Sequence, residues 1–184
     1  ESISLDEFTK GFDPIATEIV RFGGLFNYNK ARLSGQVTPP AIETKARPMT
    51  ITEKILADRA VADAATGTLG IEAVQPGDAL FVRSDIRFSH DYTTAMSEAL
   101  LVQALGADAK VTDPSSVFAF RDHLTFLGDV MPESRKKLGL LDRADTLATV
   151  QKSFAERQGV RLYDEVRNPD GTKGSEAICH NAVL

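Results

Sequence analysis

Residues 90–123 read HDYTTAMSEALLVQALGADAKVTDPSSVFAFRDH, and this stretch decides the fold. A helix is expected from Tyr92 to Leu105, stopped at Gly106, because glycine readily takes the backbone conformation that ends a helix. The short apolar run Val117 to Phe120 then reads as a buried strand. A His-Asp pair opens the helix and an Asp-His pair follows the strand. Working outward, the turn Val74-Gln75-Pro76-Gly77-Asp78 leads into a buried strand expected at Ala79 to Val82, with His90-Asp91 just beyond it. Downstream, Glu133 to Arg157 reads as mostly helical, interrupted near Gly139, and Val160 to Tyr163 as a further strand. A polar loop from Asn168 to Gly174 leads to a last strand expected around Ala177 to Leu184. Strand and helix alternate, which predicts an α/β fold with a largely parallel sheet. Ligands of such sheets gather beyond the carboxyl ends of the strands, which is where the first two pairs fall.

Upstream, Thr50-Ile51-Thr52-Glu53 has the pattern of a capping box, in which Thr caps a backbone N–H and Glu reaches back. The helix it starts is expected to run to about Ala65 and to turn Ile51, Ile55, Leu56 and Val61 toward a core. Residues 1–48 are expected to form an N-terminal arm, and residues 49–184 a segment of an α/β domain. Within the arm, Ile15, Ile19, Val20 and Phe22 allow one short helix ended by Gly23-Gly24. From Asn27 to Pro40 the mixture of Asn, Gly and Pro predicts irregular chain.

Composition narrows the class. Hydrophobic residues make up 42% and charged residues 26%, as in ordinary globular proteins. A net charge of −5 argues against a general nucleic-acid or anionic-membrane binder, both of which need a concentrated basic face. No apolar run approaches the roughly 18–20 residues of a membrane-spanning helix. One cysteine excludes an internal disulfide. The first residue is Glu1, which leads us to expect a processed chain or one cut from a longer protein.

The three histidines carry the chemistry. Each sits beside a second reactive group, in His90-Asp91, Asp122-His123 and Cys179-His180. Neutral imidazole suits proton transfer near neutral pH, and a neighbouring carboxylate fixes its tautomer. Plainer roles are open to each. Asp91 could be a favourable charge at a helix start, and Asp122-His123 an Asx-type turn. Cys179 reads best as a small buried hydrophobe. A zinc site at Cys179-His180 lacks companion ligands at a suitable spacing, so no metal ligand is assigned. Arg83, Arg87 and Arg121 suit a carboxylate or an ion pair equally.

Met49-Thr50-Ile51-Thr52-Glu53-Lys54-Ile55-Leu56-Ala57, Val74-Gln75-Pro76-Gly77-Asp78, Ser89-His90-Asp91-Tyr92-Thr93-Thr94-Ala95, Arg121-Asp122-His123 and Ala177-Ile178-Cys179-His180 together resemble the aconitase superfamily. The likeness covers Met49 to Leu184 and is nearest to the large subunits of isopropylmalate isomerase and homoaconitase. The resemblance implies part of a three-layer α/β/α domain with a mostly parallel sheet. It also implies a hydro-lyase that moves a hydroxyl between adjacent carbons of a 2-hydroxy di- or tricarboxylate, with a [4Fe-4S] cluster as Lewis acid. It places Asp122 and His123 at a catalytic Asp-His pair, His180 at a second active-site histidine, and His90 at a substrate-contacting position, with Asp91 either orienting His90 or capping the following helix.

The departures are equally informative. The cluster requires three cysteines and this chain has one, and Cys179 does not fall at a ligand position. The family's Gly-Asp-Ser-His-Thr block is expected shortly after Leu184. The chain therefore reads as the N-terminal segment of a large subunit, holding no cluster and inactive alone. Its expected partner is the rest of that subunit, or a second polypeptide carrying the cluster cysteines, in a cytoplasm or a mitochondrial matrix. The alternative is a non-catalytic, cluster-free interaction or regulatory module of the same fold. A metal-free lyase built on the three histidines is disfavoured, since general acids alone poorly expel hydroxide from an unactivated carbon.

Overall fold

The computed structural model describes residues 2–182 and divides into two compact units, Glu1–Ser84 and Asp85–Leu184. The first contains helices α1 (Leu5–Phe8), α2 (Pro14–Arg21), α3 (Leu25–Leu33) and α4 (Ile51–Arg59) and a small antiparallel ladder of β1 (Val61–Asp63) and β2 (Thr68–Leu69). Asp13 caps α2 by accepting the Ala16 N–H at 2.9 Å, with Pro14 in the first turn. The helix gives way at Gly23, whose φ of 73° lies in the left-handed region.

Helix α3 corrects the expectation of irregular chain from Asn27. Its sequence has poor helix formers, but tertiary packing overrides propensity. Tyr28 and Ala31 are buried, and the Tyr28 ring stacks on Phe81 with centroids 6.0 Å apart.

The capping box of α4 forms as its sequence pattern requires. The Thr50 N–H donates to Glu53 Oε2 at 2.7 Å, and the Glu53 N–H returns to Thr50 Oγ1 at 3.3 Å. The helix nevertheless ends at Arg59, short of Ala65, where the chain turns into β1. Its buried contacts are Ala57 and, just past its end, Ala60, whereas Ile51 and Ile55 are exposed. Ala79 to Val82 is not a strand: Val82 makes one isolated bridge to Ala60 and is exposed.

The second unit is an α/β arrangement around a parallel sheet. Strand β3 (Arg87–His90) leads directly into α5 (Asp91–Leu105), and β4 (Val117–Phe120) follows. Short helices α6 (Leu127–Val130) and α7 (Glu133–Lys136) precede the long α8 (Leu140–Gln158), which returns the chain to β5 (Arg161–Tyr163). The sheet order is β3-β4-β5, all parallel, with His90 level with Phe120 and Phe120 level with Tyr163. A hairpin of β6 (Glu165–Arg167) and β7 (Lys173–Ser175) encloses the polar loop. It is followed by α9 (Cys179–Ala182), a short helix where a strand was expected; Val183 and Leu184 lie outside the described residues.

Side chains alternate across a strand, and here the two faces differ. One carries Val117, Ala119 and Leu162, which pack with Phe154, Ala155 and Leu101 from α8 and α5. The other carries an aromatic row. Phe120 stacks on Tyr163 at 4.9 Å and meets Phe88 edge-on at 6.1 Å. His90 shares this second face by strand alternation.

Candidate active site

Three loops converge at the carboxyl end of the sheet. The first is the junction of β3 and α5. His90 caps α5, its Nδ1 accepting the Tyr92 N–H at 3.3 Å, while its own backbone N–H donates to Thr93 Oγ1 at 3.1 Å. Asp91 opens the helix and is 0% exposed. Its Oδ2 accepts the Leu124 N–H from the next loop at 2.8 Å. Its Oδ1 has no hydrogen-bond partner; His90 Nδ1 and His123 Nδ1 stand 3.7 and 3.8 Å away.

The second loop follows β4. Asp122 Oδ1 meets His123 Nδ1 at 2.7 Å, and its Oδ2 accepts the Cys179 N–H at 2.8 Å. That bond ties down the third loop at the start of α9, where Cys179 Sγ lies 3.0 Å from His180 Nδ1. The imidazoles come together as a result. His90 and His123 stack with centroids 4.2 Å apart, and His123 meets His180 at 5.5 Å. Asp91 thus holds the second loop and Asp122 the third.

Beneath the loops, two further buried polar residues position the site, and the sequence reading passed over both. Gln151 of α8 donates from Nε2 to the Phe120 carbonyl at 3.0 Å and to Thr94 Oγ1 at 3.1 Å. Thr94 in turn donates to the His90 carbonyl at 2.9 Å. The available signal was Gln151 sharing a helical stripe with the buried Phe154 and Ala155, since a glutamine on an apolar face needs a buried partner. Two of the three arginines do structural work: Arg121 binds Asp164 at 2.9 Å and the Ala148 carbonyl at 2.7 Å, and Arg87 binds Ser116 Oγ.

Burial, and then the nearby His123, push the His90 imidazole below its ordinary value, so it is neutral at pH 7. Burial pushes the Asp122 carboxyl upward, but the Cys179 N–H and His123 outweigh it, and the net shift is downward. Asp122 is therefore ionised at neutral pH. The Cys179 thiol is driven up to about 11, by burial first and by Asp122 second. A neutral imidazole, an ionised carboxylate and a second carboxylate with a free oxygen can bind and move protons.

A [4Fe-4S] cluster does not fit the residues present. It asks for several thiolates, and the chain offers one cysteine, buried and protonated.

No family model matches the chain, and no solved structure matches it. Two curated proteins do. The 3-isopropylmalate dehydratase large subunit of Arabidopsis thaliana, a chloroplastic protein, is 25% identical over 138 residues, covering 73% of this chain and 23% of the relative. The 3-isopropylmalate dehydratase large subunit of Sulfurihydrogenibium sp. is 29% identical over 117 residues, covering 64% of this chain and 22% of the relative. The chain therefore spans under a quarter of the length of these relatives. These likenesses support a distant relation to the aconitase family and suggest a hydro-lyase class. Among the described residues, no helix is long and apolar enough to cross a membrane.

Proposed function

We propose that this chain supplies the acid–base side of a hydro-lyase site acting on a 2-hydroxy di- or tricarboxylate. The observation that carries the reading is the Asp122-His123 pair at 2.7 Å, held at the end of a parallel sheet with His90 and His180 beside it. Asp122 fixes the His123 ring through Nδ1, which leaves Nε2 to exchange a proton with the substrate hydroxyl as it leaves as water. His180 flanks that proton transfer. His90, neutral and partly exposed, is held through Nδ1 by the Tyr92 N–H and makes one hydrogen bond to the substrate, with the Asp91 carboxylate beside it.

The intact enzyme would be a larger assembly, in which this unit forms part of a three-layer α/β/α domain. The remaining large-subunit chain, or a second polypeptide, would bring the cysteines that hold a [4Fe-4S] cluster. Such a cluster would supply Lewis-acid chemistry that this chain does not. The cytoplasm and the mitochondrial matrix both suit an assembly of this kind.

The test is a titration of the three histidines by nitrogen-15 imidazole NMR, adding malate, 2-isopropylmalate or homocitrate. Saturable shifts at His90, His123 and His180, lost in Asp122→Asn, are expected. Flat spectra with every hydroxy acid would overturn the reading and leave the cluster-free interaction module in its place.

A further inference from the structure

We infer that His90, Asp91 and His123 form a binding site for one divalent transition-metal ion, distinct from any iron–sulfur cluster. One donor atom from each lies within 4.8 Å of the other two. Asp91 gives the strongest pointer. It is 0% exposed, and the Leu124 N–H occupies only Oδ2, so Oδ1 sits buried without a hydrogen bond. A buried carboxylate oxygen left unpaired is costly. The two nearest imidazole nitrogens, at 3.7 and 3.8 Å, are too far to bond to it directly. An ion placed among these donors gives Oδ1 its missing partner.

The surrounding contacts already have the form of a metal site. Metal-bound imidazoles commonly use one nitrogen for the ion and give the other to a carboxylate that sets the ring's orientation. Asp122 holds His123 Nδ1 in that way, leaving Nε2 for the ion, and the Cys179 N–H fixes Asp122 in turn. His90 offers its Nδ1 lone pair, held only by the 3.3 Å contact from the Tyr92 N–H. The imidazoles are 22% and 31% exposed, which gives the ion an entry path and room for water in its remaining positions. Bonds of about 2.0–2.2 Å would require these donors, now within 4.8 Å of one another, to draw in around the ion. Two imidazoles and one carboxylate select zinc, cobalt(II) or iron(II) over calcium or magnesium, whose ligands are oxygens.

The inference does not need the hydro-lyase reading. If both hold, a bound ion occupies the His123 nitrogen used for proton transfer, so metal binding and turnover compete.

The probe is cobalt(II), added to chelator-stripped protein and followed by its visible absorption and by equilibrium dialysis. One ion per chain is expected, with paramagnetic broadening of the His90 and His123 imidazole signals in the wild-type protein. His90→Gln and Asp91→Asn should each weaken binding by about tenfold or more, with circular dichroism confirming that they fold. Cys179→Ser should leave the affinity unchanged. No retained cobalt in the wild-type protein overturns the site. So does loss of binding in Cys179→Ser with binding kept in His90→Gln and Asp91→Asn, which would place the ion at His123, Cys179 and His180 instead.

Discussion

The loops after β3 and β4 end in the same two residue types in opposite order, His90-Asp91 and Asp122-His123, and the fold puts them to different use. Both carboxylates spend one oxygen on a backbone N–H of the next loop, Asp91 on Leu124 and Asp122 on Cys179. Their second oxygens differ. That of Asp122 is taken by its own neighbour His123, whereas that of Asp91 is buried and unpaired. Asp122 is therefore a satisfied clamp, and Asp91 a clamp with one binding valence to spare. Position in the helix accounts for this. Asp91 is the first residue of α5 and is turned into the protein, while Asp122 stands on a loop free to fold back on the following side chain.

This comparison can be broken by mutation. The largest effect is expected from Asp91→Ala, which strips the Leu124 N–H of its buried acceptor and leaves a void. It should cost about 2–4 kcal/mol, measured as a fall in the urea midpoint at constant slope. Asp122→Ala removes a carboxylate whose His123 partner is partly exposed and can turn to water, and should cost about 1–3 kcal/mol; a larger loss here than at Asp91 would reverse the ranking. Gln151→Leu keeps the volume but leaves the Phe120 carbonyl unpaired, for a loss of about 1–2 kcal/mol in the same assay.

The smallest effect lies in pH dependence. The folded state lowers the His90 value beneath 6.5, so the unfolded chain binds the proton more readily. Stability contributed by neutral His90 is thus complete above that value and declines as pH falls from 6.5 toward the folded one. His90→Gln should flatten this part of the stability–pH curve. Asp122 has the carboxylate sign: its contribution is present above the ordinary 3.8 and is lost as pH falls through its lower folded value. Urea midpoints between pH 7 and 3 separate the two, and a wild-type curve level from pH 7 to 5 would contradict the His90 assignment.

Much of the second unit was legible because its signals are local. The helix ended by Gly106, the run Val117 to Phe120 and the break at Gly139 all appear at or close to their expected places. Strand β3 carries no apolar-run signal because three of its four residues, Arg87, Ser89 and His90, are polar, its side chains being divided between the helix-covered and the aromatic face. Helix α9 was read as a strand because Ala177 to Cys179 and Ala182 form apolar sequence, and what fixes its first turn is a carboxylate distant in sequence, Asp122. The same holds for the site. Each His/Asp pair could be read from adjacency, but the meeting of His90 with His123 depends on parallel pairing of β3 and β4, which no local pattern encodes. Nor does any local pattern announce Gln151 beneath them; only its polarity on an apolar stripe sets it apart.

The order of the two carboxylate clamps also sets how the site comes apart. Releasing α9 from Asp122 frees His180 and leaves His90 and His123 where they are. Releasing the β4 loop from Asp91 also carries away Asp122, and with it the anchor of α9. Every opening that exposes the Leu124 amide thus exposes the Cys179 amide, whereas the converse does not hold. In native-state hydrogen exchange the Cys179 amide should be the faster of the two, and the histidine site should fray from its C-terminal end inward.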